Sequence, residues 1–331
     1  MKFWAIMLLS VLFLSLFNAC NQNSENNIVI SVIPKGSTHI FWQSIHAGAL
    51  KAGNELGVEI SWVGPEKEDD RQQQIALIDN QVMKQVSGIV LAPIDDMALR
   101  RPVRSAVDRG VPVVIIDSDL RDSEDVYTSY IATDNREGGR IAGRELSRLL
   151  NGKGKVIVLR ESEGAGSTQA RANGFVEAVT ENSDIEVVMN DQYVGVTKTL
   201  AQQSSENILL RFTDASGELT IDGLFCPNEA TTYGMLQALR RKRMTKKIQF
   251  IGFDSSGPII EGLQNDEIQG LVVQNPFKMG YFGVKTIVES LKGKKVNKKM
   301  DTGVLLVNNK NLNQPEIQDL LNPDLKKWLG E

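Results

Sequence analysis

The apolar run at residues 111–116, which reads Val-Pro-Val-Val-Ile-Ile, is followed at once by the carboxylate of Asp117. Consecutive β-branched residues are typical of a central strand in a parallel sheet whose two faces are both covered by helices. In sheets of this kind, ligands bind just beyond the carboxyl ends of the strands. The sequence therefore predicts an α/β fold and places Asp117 where a ligand would bind.

The same alternation of strand and helix runs through most of the chain. Apolar residues recur at helical spacing between the short apolar runs, as at Phe41, Ile45 and Ala49. Strands joined by single helices form parallel βαβ units. The predicted strands lie at 28–33, 58–63, 88–92, 111–117, 127–133, 155–159, 185–189, 221–226, 248–253 and 270–274. Because one compact domain needs fewer strands, we predict two doubly wound parallel-sheet lobes.

An internal similarity supports two lobes. Residues 88–95 (GIVLAPID) lead, about thirty residues later, to 115–118 (IIDS), and residues 223–229 (GLFCPNE) lead at nearly the same distance to 252–255 (GFDS). Both pairs show a strand, a polar turn containing proline, a helix, a second strand and an aspartate. If the lobes are duplicated, Asp117 and Asp254 occupy equivalent positions and reach one cleft from opposite sides.

The N-terminus carries an export signal. Lys2 precedes an apolar run at 3–17, which is too short to span a membrane but is typical of a secretory signal peptide. The run ends at Asn18-Ala19-Cys20, which resembles the lipobox of bacterial lipoproteins, although Phe17 and Asn18 depart from the usual residues. The resemblance implies a signal peptide at 1–19, a lipid (palmitate) on Cys20, a tether at 20–27 and a location on the extracytoplasmic membrane face or in the periplasm. The alternative is an ordinary signal peptide with an incidental cysteine.

Charge and motifs argue against several classes of protein. The formal net charge of −4 disfavours nucleic-acid binding, which needs a basic surface. The two histidines, His39 and His46, are seven residues apart and form no close pair of metal ligands. Common catalytic motifs are missing from the sequence, and residues 164–168 (GAGST) lack the lysine of a nucleotide-binding loop. We therefore predict no catalysis, no metal and no cofactor.

Polar and aromatic side chains follow several predicted strands. Carboxylates, amides and guanidinium groups pair well with adjacent hydroxyls, and aromatic rings cover the apolar face of a sugar. Several of these side chains also have a purely structural interpretation. Phe41 or Trp42 would belong to the core, and Arg171 would be a surface residue. Asn228 would cap a helix, and Asp254 would form an Asx turn. Their joint placement favours a binding site. The candidate ligand-binding residues are His39, Phe41, Trp42, Asp117, Ser118, Arg171, Tyr193, Asn228, Asp254 and Gln274.

From residue 28 to residue 307, the chain resembles the periplasmic binding proteins of the ribose-binding type, the sugar-binding components of ABC importers. The matching stretches are residues 39–42 (HIFW), Asp117, 132–135 (ATDN), 138–139 (GG), 171–175 (RANGF), 228–229 (NE), 252–254 (GFD) and Gln274. The resemblance implies that Phe41 and Trp42 stack on the sugar, with Tyr193 as a further aromatic. It also implies that the hydroxyls of the sugar are bound by Asp117, Arg171, Asn228, Asp254 and Gln274.

The same resemblance implies how the lobes are divided. Three crossovers near 132–134, 274–276 and 302–305 would form the hinge. The N-terminal lobe would take residues 28–132 and 275–302, the C-terminal lobe 133–274 and 303–310, and a C-terminal tail 311–331.

This chain departs from the ribose-binding type at two positions. The ribose binder has Asn where this chain has His39, and Arg where this chain has Ser118. Loss of a charged bidentate donor should change which hydroxyls are recognised.

We therefore expect a monomeric, lipid-anchored binding protein that captures a pentose, a hexose or a related polyol by hinge closure. It would deliver this monosaccharide to the permease subunits of an ABC importer. An alternative is a sensor that presents a sugar or a furanose-like signal to a chemoreceptor or a histidine kinase. A glycosidase that uses Asp117 and Asp254 as its acid and base fits the sequence less well.

Overall fold

The structure is a computed structural model that describes residues 27–37, 39–181 and 184–330. The predicted signal peptide and Cys20 lie outside these residues. The strands are β1 (Val29–Ile33), β2 (Glu59–Trp62), β3 (Gly88–Leu91), β4 (Val113–Ile116), β5 (Ser129–Ala132), β6 (Lys153–Arg160), β7 (Asp184–Tyr193), β8 (Gly223–Phe225), β9 (Gln249–Phe253), β10 (Gly270–Gln274), β11 (Lys299–Asp301) and β12 (Val304–Val307).

Helices connect most of these strands. They are α1 (Ile40–Leu56), α2 (Arg71–Met83), α3 (Arg100–Asp108), α4 (Asn135–Leu149), α5 (Gly166–Thr180), α6 (Lys198–Arg211), α7 (Glu229–Lys242), α8 (Gly257–Gln264), α9 (Pro276–Leu291), α10 (Pro315–Leu321) and α11 (Lys326–Leu329). Within the described ranges, none of the helices has the length and apolar character that crossing a membrane requires.

Two six-stranded sheets organise the chain, as predicted. The first has the order β2-β1-β3-β4-β5-β11 and the second the order β7-β6-β8-β9-β10-β12. All pairings are parallel except that of β10 with β12. The prediction of two parallel-sheet lobes is therefore confirmed. We call the first sheet with α1, α2, α3 and α9 the N-terminal lobe, and the second sheet with α4 to α8 the C-terminal lobe.

Both faces of each sheet are buried, which explains the continuous apolar runs in the sequence. In β4, Val114 and Ile116 pack with α1 and α9, whereas Val113 and Ile115 pack with α2 and α3. The second sheet has the same arrangement, with α4 and α5 on one face and α6, α7 and α8 on the other. Each strand end is consequently held between two helical layers.

β4 and β9 occupy the same place in the two sheet orders. Asp117 and Asp254 follow them directly, and both have left-handed backbones, with φ values of 63° and 65°. Aspartate adopts this conformation more readily than most residues, and residues held in it often lie at ligand sites. The internal similarity of the sequence thus corresponds to two structurally equivalent aspartates.

Within the part of the chain that the structure describes, the backbone passes between the sheets three times, at residues 133–134, at residue 275 and at residues 302–303. Beyond β12, α10 adds Ile317 and Leu321 to the core of the C-terminal lobe. α11 then lies against α1 of the N-terminal lobe. The C-terminal segment therefore contacts both lobes.

Candidate functional site

A cavity of about 50 Å³ lies between the lobes, at the carboxyl ends of both sheets. The lobes touch around it, because Lys35 Nζ donates to Ser167 Oγ over 3.2 Å and the backbone N–H of Asp96 donates to the carbonyl of Gly164 over 3.0 Å. The structure therefore shows a closed cleft. Of the predicted residues, those that line the cavity are His39, Phe41, Trp42, Asp117, Arg171, Asn228, Asp254 and Gln274.

Asp117 forms a buried ion pair with Lys35, whose Nζ lies 2.6 Å from Asp117 Oδ2. The same ammonium donates to Ser118 Oγ over 2.6 Å. Ser118 itself is buried behind Asp117 and also contacts Ser167 Oγ, at 2.8 Å. Lys35, which follows β1, thus supplies a cation on this side of the cleft, which the sequence analysis did not identify.

Arg171 lies at the centre of the site and is only 2% exposed, so the surface alternative is wrong. Its Nε donates to Asn135 Oδ1 over 2.8 Å, and its Nη1 donates to the carbonyl of Pro227 over 3.0 Å. The guanidinium lies 3.7 Å from Asp254 and 3.9 Å from Asp117. Among the described residues, Nη2 has no hydrogen-bond partner, since Asp117 Oδ1 lies 3.9 Å away, so a buried donor remains available in the cavity.

Asp254 and Gln274 form a second polar pair. Gln274 Nε2 donates to Asp254 Oδ1 over 2.8 Å, while Gln274 Oε1 finds no donor within the described part of the chain. Burial raises the pKa of Asp254 to about 6, against the opposing effects of Arg171 and of the Gln274 hydrogen bond. Both side chains line the cavity, so Asp254 is more than a turn residue.

Asn228 performs two roles. Its Oδ1 accepts from the backbone N–H of Thr231 over 3.1 Å, which caps α7 as the sequence alternative predicts. Its Nδ2 donates to the carboxylate of Glu161, and the side chain lines the cavity. A helix cap and a ligand contact are therefore compatible at this position.

Two of the three aromatic candidates lie at the cavity, and the third does not. Phe41 and Trp42 line the cavity with their ring planes at 89° and their centroids 4.9 Å apart. Trp42 also joins the core, and its Nε1 donates to Glu68 Oε1 over 2.8 Å. Tyr193 is 48% exposed and lies away from the cavity, because β7 is the edge strand of the second sheet. The structure thus does not bring Tyr193 to the site.

Three cavity-lining glutamates, Glu68, Glu161 and Glu229, were not among the predicted ligand residues. Glu229 lies 3.0 Å from His39 Nδ1 across the cleft, and this hydrogen bond is the main cause of the raised pKa of His39. Glu161 directly follows β6 and Glu229 adjoins Asn228, so their positions at strand ends could have identified both. Glu68 lies in the loop between β2 and α2, where no periodic pattern points to it.

The added glutamates make the cavity acidic. Burial, followed by the charge of Glu68, raises the pKa of Glu161 to about 7. Burial also raises the pKa of Glu68, against the charges of His39 and Lys35. Among residues 27–37, 39–181 and 184–330, no group of three or more His, Cys, Asp or Glu side chains is arranged to hold a metal ion. The site is a set of hydrogen-bonding groups suited to a ligand rich in hydroxyls.

Comparison with known proteins gives a consistent result. Residues 30–295 match the family model described as the periplasmic binding protein domain. The chain is 25% identical over 300 residues to the ribose import binding protein of Haemophilus influenzae, covering 91% of this chain and 97% of that protein.

Two solved structures are also similar. A solute-binding protein of a carbohydrate transporter from Agrobacterium radiobacter, in complex with D-arabinose, is 34% identical with a TM-score of 0.84, covering 90% of this chain and 100% of that chain. An ABC transporter solute-binding protein from Agrobacterium vitis with bound D-fucose is 32% identical with a TM-score of 0.83, covering 89% of this chain and 100% of that chain.

Proposed function

The chain belongs to the periplasmic binding protein family, and on that premise we propose that it binds a monosaccharide between its lobes and delivers it to the permease of an ABC importer. The observation that carries the proposal is the convergence of hydroxyl-pairing groups from both lobes on one cavity. Two of these groups, Arg171 Nη2 and Gln274 Oε1, lack partners among the described residues. A sugar hydroxyl can accept from the first and donate to the second.

Closure of the hinge is the proposed mechanism. Asp117 and Lys35 belong to the N-terminal lobe, whereas Arg171 and Asp254 belong to the C-terminal lobe, so a ligand that contacts both sets favours the closed arrangement. The crossovers at 133–134, 275 and 302–303 would act as hinges. The closed form would then dock on the permease. Binding of this kind involves no reaction of the ligand, in agreement with membership of a family of binding proteins.

The ligand class follows from the relatives together with the aromatic and polar groups. The two similar structures hold a pentose, D-arabinose, and a deoxyhexose, D-fucose. Phe41 and Trp42 can stack on the ring of either. The resemblance to the ribose-binding type implies an arginine where this chain has Ser118, whereas the cation beside Asp117 here is the compact ammonium of Lys35. Guanidinium and ammonium groups recognise hydroxyls with different geometry. We propose a pentose, hexose or related polyol other than ribose.

Membership of the family implies an extracytoplasmic location. We further propose that the mature protein is a monomer anchored to the membrane through a lipid on Cys20. Cys20→Ser should abolish incorporation of labelled palmitate and move the protein from the detergent phase to the aqueous phase. Unchanged detergent partitioning of this variant would argue against the anchor.

A thermal-shift screen of pentoses, hexoses, deoxysugars and polyols tests the proposed function. A ligand that binds only the folded state raises the melting temperature, by an amount that grows with its concentration relative to Kd. We expect positive shifts for a small subset of monosaccharides and none for amino acids. Absence of a shift with every saccharide would contradict the proposal.

Asp254→Ala tests the site. We expect this variant to bind the best sugar of the screen at least ~2 kcal/mol more weakly, because Gln274 Nε2 and the Arg171 guanidinium lose a buried partner. Asp117→Ala should weaken binding by a similar amount. Isothermal titration calorimetry measures the change, with Tyr193→Ala as the control that should retain the original Kd. Near-native affinity in both aspartate variants would contradict the site assignment.

A further inference from the structure

The closed cavity contains more carboxylates than cations. Two cationic side chains, Lys35 and Arg171, line it, together with His39. Lys198 reaches Glu229 from the rim. The carboxylates that line the cavity are Glu68, Asp117, Glu161, Glu229 and Asp254.

Three of the five carboxylates have a lysine or arginine within ion-pair distance. Asp117 lies 2.6 Å from Lys35. Asp254 lies 3.7 Å from Arg171. Glu229 lies 2.8 Å from a third cation on the rim, the ammonium of Lys198. Each of the three cations thus already faces a carboxylate.

Glu161 and Glu68 are left without such a cation in the part of the chain that the structure describes. Glu161 is 6% exposed and accepts hydrogen bonds from two neutral groups, Thr168 Oγ1 and Asn228 Nδ2. Glu68 accepts from Trp42 Nε1. Its nearest cationic candidate is His39 Nε2, at 3.5 Å, and that imidazole is shared with Glu229. Buried carboxylates ordinarily occur with a charged partner.

The two glutamates come from different lobes. Glu68 lies in the loop after β2 of the N-terminal lobe, and Glu161 follows β6 of the C-terminal lobe. They line the same cavity, and the charge of Glu68 acts on Glu161 strongly enough to contribute to its raised pKa. The charges of Lys35 and Arg171 oppose this effect without removing it. Closing the lobes therefore brings two like charges together.

A bound neutral sugar would leave this repulsion in place. Its hydroxyls can donate hydrogen bonds to both carboxylates, but they bring no charge. Gln274 Oε1 is a further acceptor that lines the cavity and lacks a donor among the described residues, so the closed site has an excess of acceptors as well as of negative charge.

We propose that closure of the cleft on its ligand places one additional positive charge between Glu68 and Glu161. The charge comes either from a proton that is taken up together with a neutral sugar, or from the ammonium group of an amino sugar or aminocyclitol. This inference rests on the proposed function and specifies the electrostatic requirement of that same site.

The two sources of charge predict different dependences of the sugar affinity on pH. For a neutral sugar, closure raises the pKa of Glu161 from an ordinary value of 4.5 towards about 7, so the closed state binds one more proton within that range. The affinity should therefore fall by up to about tenfold per pH unit between these two values and become constant above the upper one. For an ammonium ligand, Glu161 is already ionised in the open state over this range and stays ionised when the ammonium binds, so the affinity should be nearly constant.

Calorimetry on the full chain separates the two sources. D-galactose and D-glucose are titrated beside D-galactosamine and D-glucosamine, with D-arabinose and D-fucose as further neutral sugars, at about pH 5.5, 7 and 8.5, in buffers of different ionisation enthalpy. Proton uptake with a neutral sugar at the lowest pH, of which roughly one proton is lost in Glu161→Gln, supports the first source, because Asp254 and His39 also have raised pKa values and add their own uptake. Tighter binding of an amino sugar than of its parent by roughly tenfold or more, without proton uptake, supports the second.

Variants assign the effect to the glutamates. Glu161→Gln should remove roughly one proton of the uptake and the matching part of the pH dependence for a neutral sugar, or most of the preference for an amino sugar. Glu68→Gln, in a partly exposed loop, provides the same test if Glu161→Gln does not fold. Glu186→Gln, an exposed glutamate on β7, is the matched control and should behave as the wild type.

The outcomes distinguish this inference from the proposed function. Binding of a neutral sugar without pH dependence or proton uptake, and with amino sugars no tighter, would overturn the inference while leaving sugar binding intact. Glutamine variants that keep the full wild-type profile would overturn it as well. Failure of every saccharide at every pH would overturn the proposed function itself.

Discussion

Replacing Arg171 by methionine is expected to abolish measurable sugar binding and to lower the free energy of unfolding by roughly 3–5 kcal/mol. Arg171 is buried between the two aspartates, and its guanidinium donates to Asn135 and to the carbonyl of Pro227. Methionine preserves much of the aliphatic stem but removes every donor, together with the guanidinium that lies 4.0 Å from the centre of the Phe253 ring. The partner oxygens would remain buried and unpaired, and this penalty exceeds the small net gain of forming such bonds.

Urea denaturation and calorimetry measure the two effects of Arg171→Met separately. Arg171→Lys should retain part of the stability and little of the affinity, because an ammonium keeps the charge but cannot reproduce the planar set of donors. Arg109→Met, at an exposed position after α3, is the matched control and should change stability by less than about 0.5 kcal/mol. Wild-type affinity in Arg171→Met would mean that the ligand does not contact this guanidinium.

The parts of the fold that could be predicted are those with strong local patterns. β4 and β9 are continuous apolar runs because both their faces are buried, and the aspartates that follow them were found for the same reason. β11 and β12 were not predicted as strands. β11 reads Lys-Met-Asp and is an edge strand, so its residues show no apolar run, and residues 302–305 were interpreted only as a crossover.

The candidate site shows where strand ends predict ligand contacts and where they do not. Arg171, Asp254 and Gln274 meet in the cavity because their strands or helices converge on the space between the sheets. Tyr193 also ends a strand, but β7 is at the edge of its sheet, and strand order cannot be read from periodicity. Glu68 lies in a loop, whose path depends on tertiary packing. Its membership of the site required the folded structure.

Ser118 and Lys35 also show that membership of the site depends on the folded structure. Ser118 stands where the resemblance to the ribose-binding type implies an arginine, and the folded cleft has a cation from the end of β1, which is separated from β4 by β3. A side chain with four methylene groups can reach across that distance.

Gly139→Val is expected to destabilise the protein by at least about 3 kcal/mol and to weaken sugar binding at the same time. Gly139 lies in α4 where this helix crosses α5, and a Cβ atom there would overlap the backbone carbonyl of Arg171. Backbone cannot move aside as a flexible side chain can, so the added volume must separate the two helices. Helix propensity alone predicts that replacing Gly139 by alanine increases the free energy of unfolding, since glycine is less favourable than alanine inside a helix by roughly 0.5–1 kcal/mol.

Gly139→Ala and Gly257→Ala form the pair that decides between these two effects. The first should destabilise despite its better helix propensity, whereas the second, at the start of α8 with open space around the added methyl group, should be neutral or slightly stabilising. Urea denaturation gives the free energies of unfolding, and calorimetry gives the sugar affinity. Because the crossing that Gly139 permits also fixes the backbone of Arg171, lost stability and lost affinity should appear together in Gly139→Ala. An alanine variant as stable as the wild type would show that α4 and α5 can separate without cost, and the position of Arg171 would then have to be set by its hydrogen bonds alone.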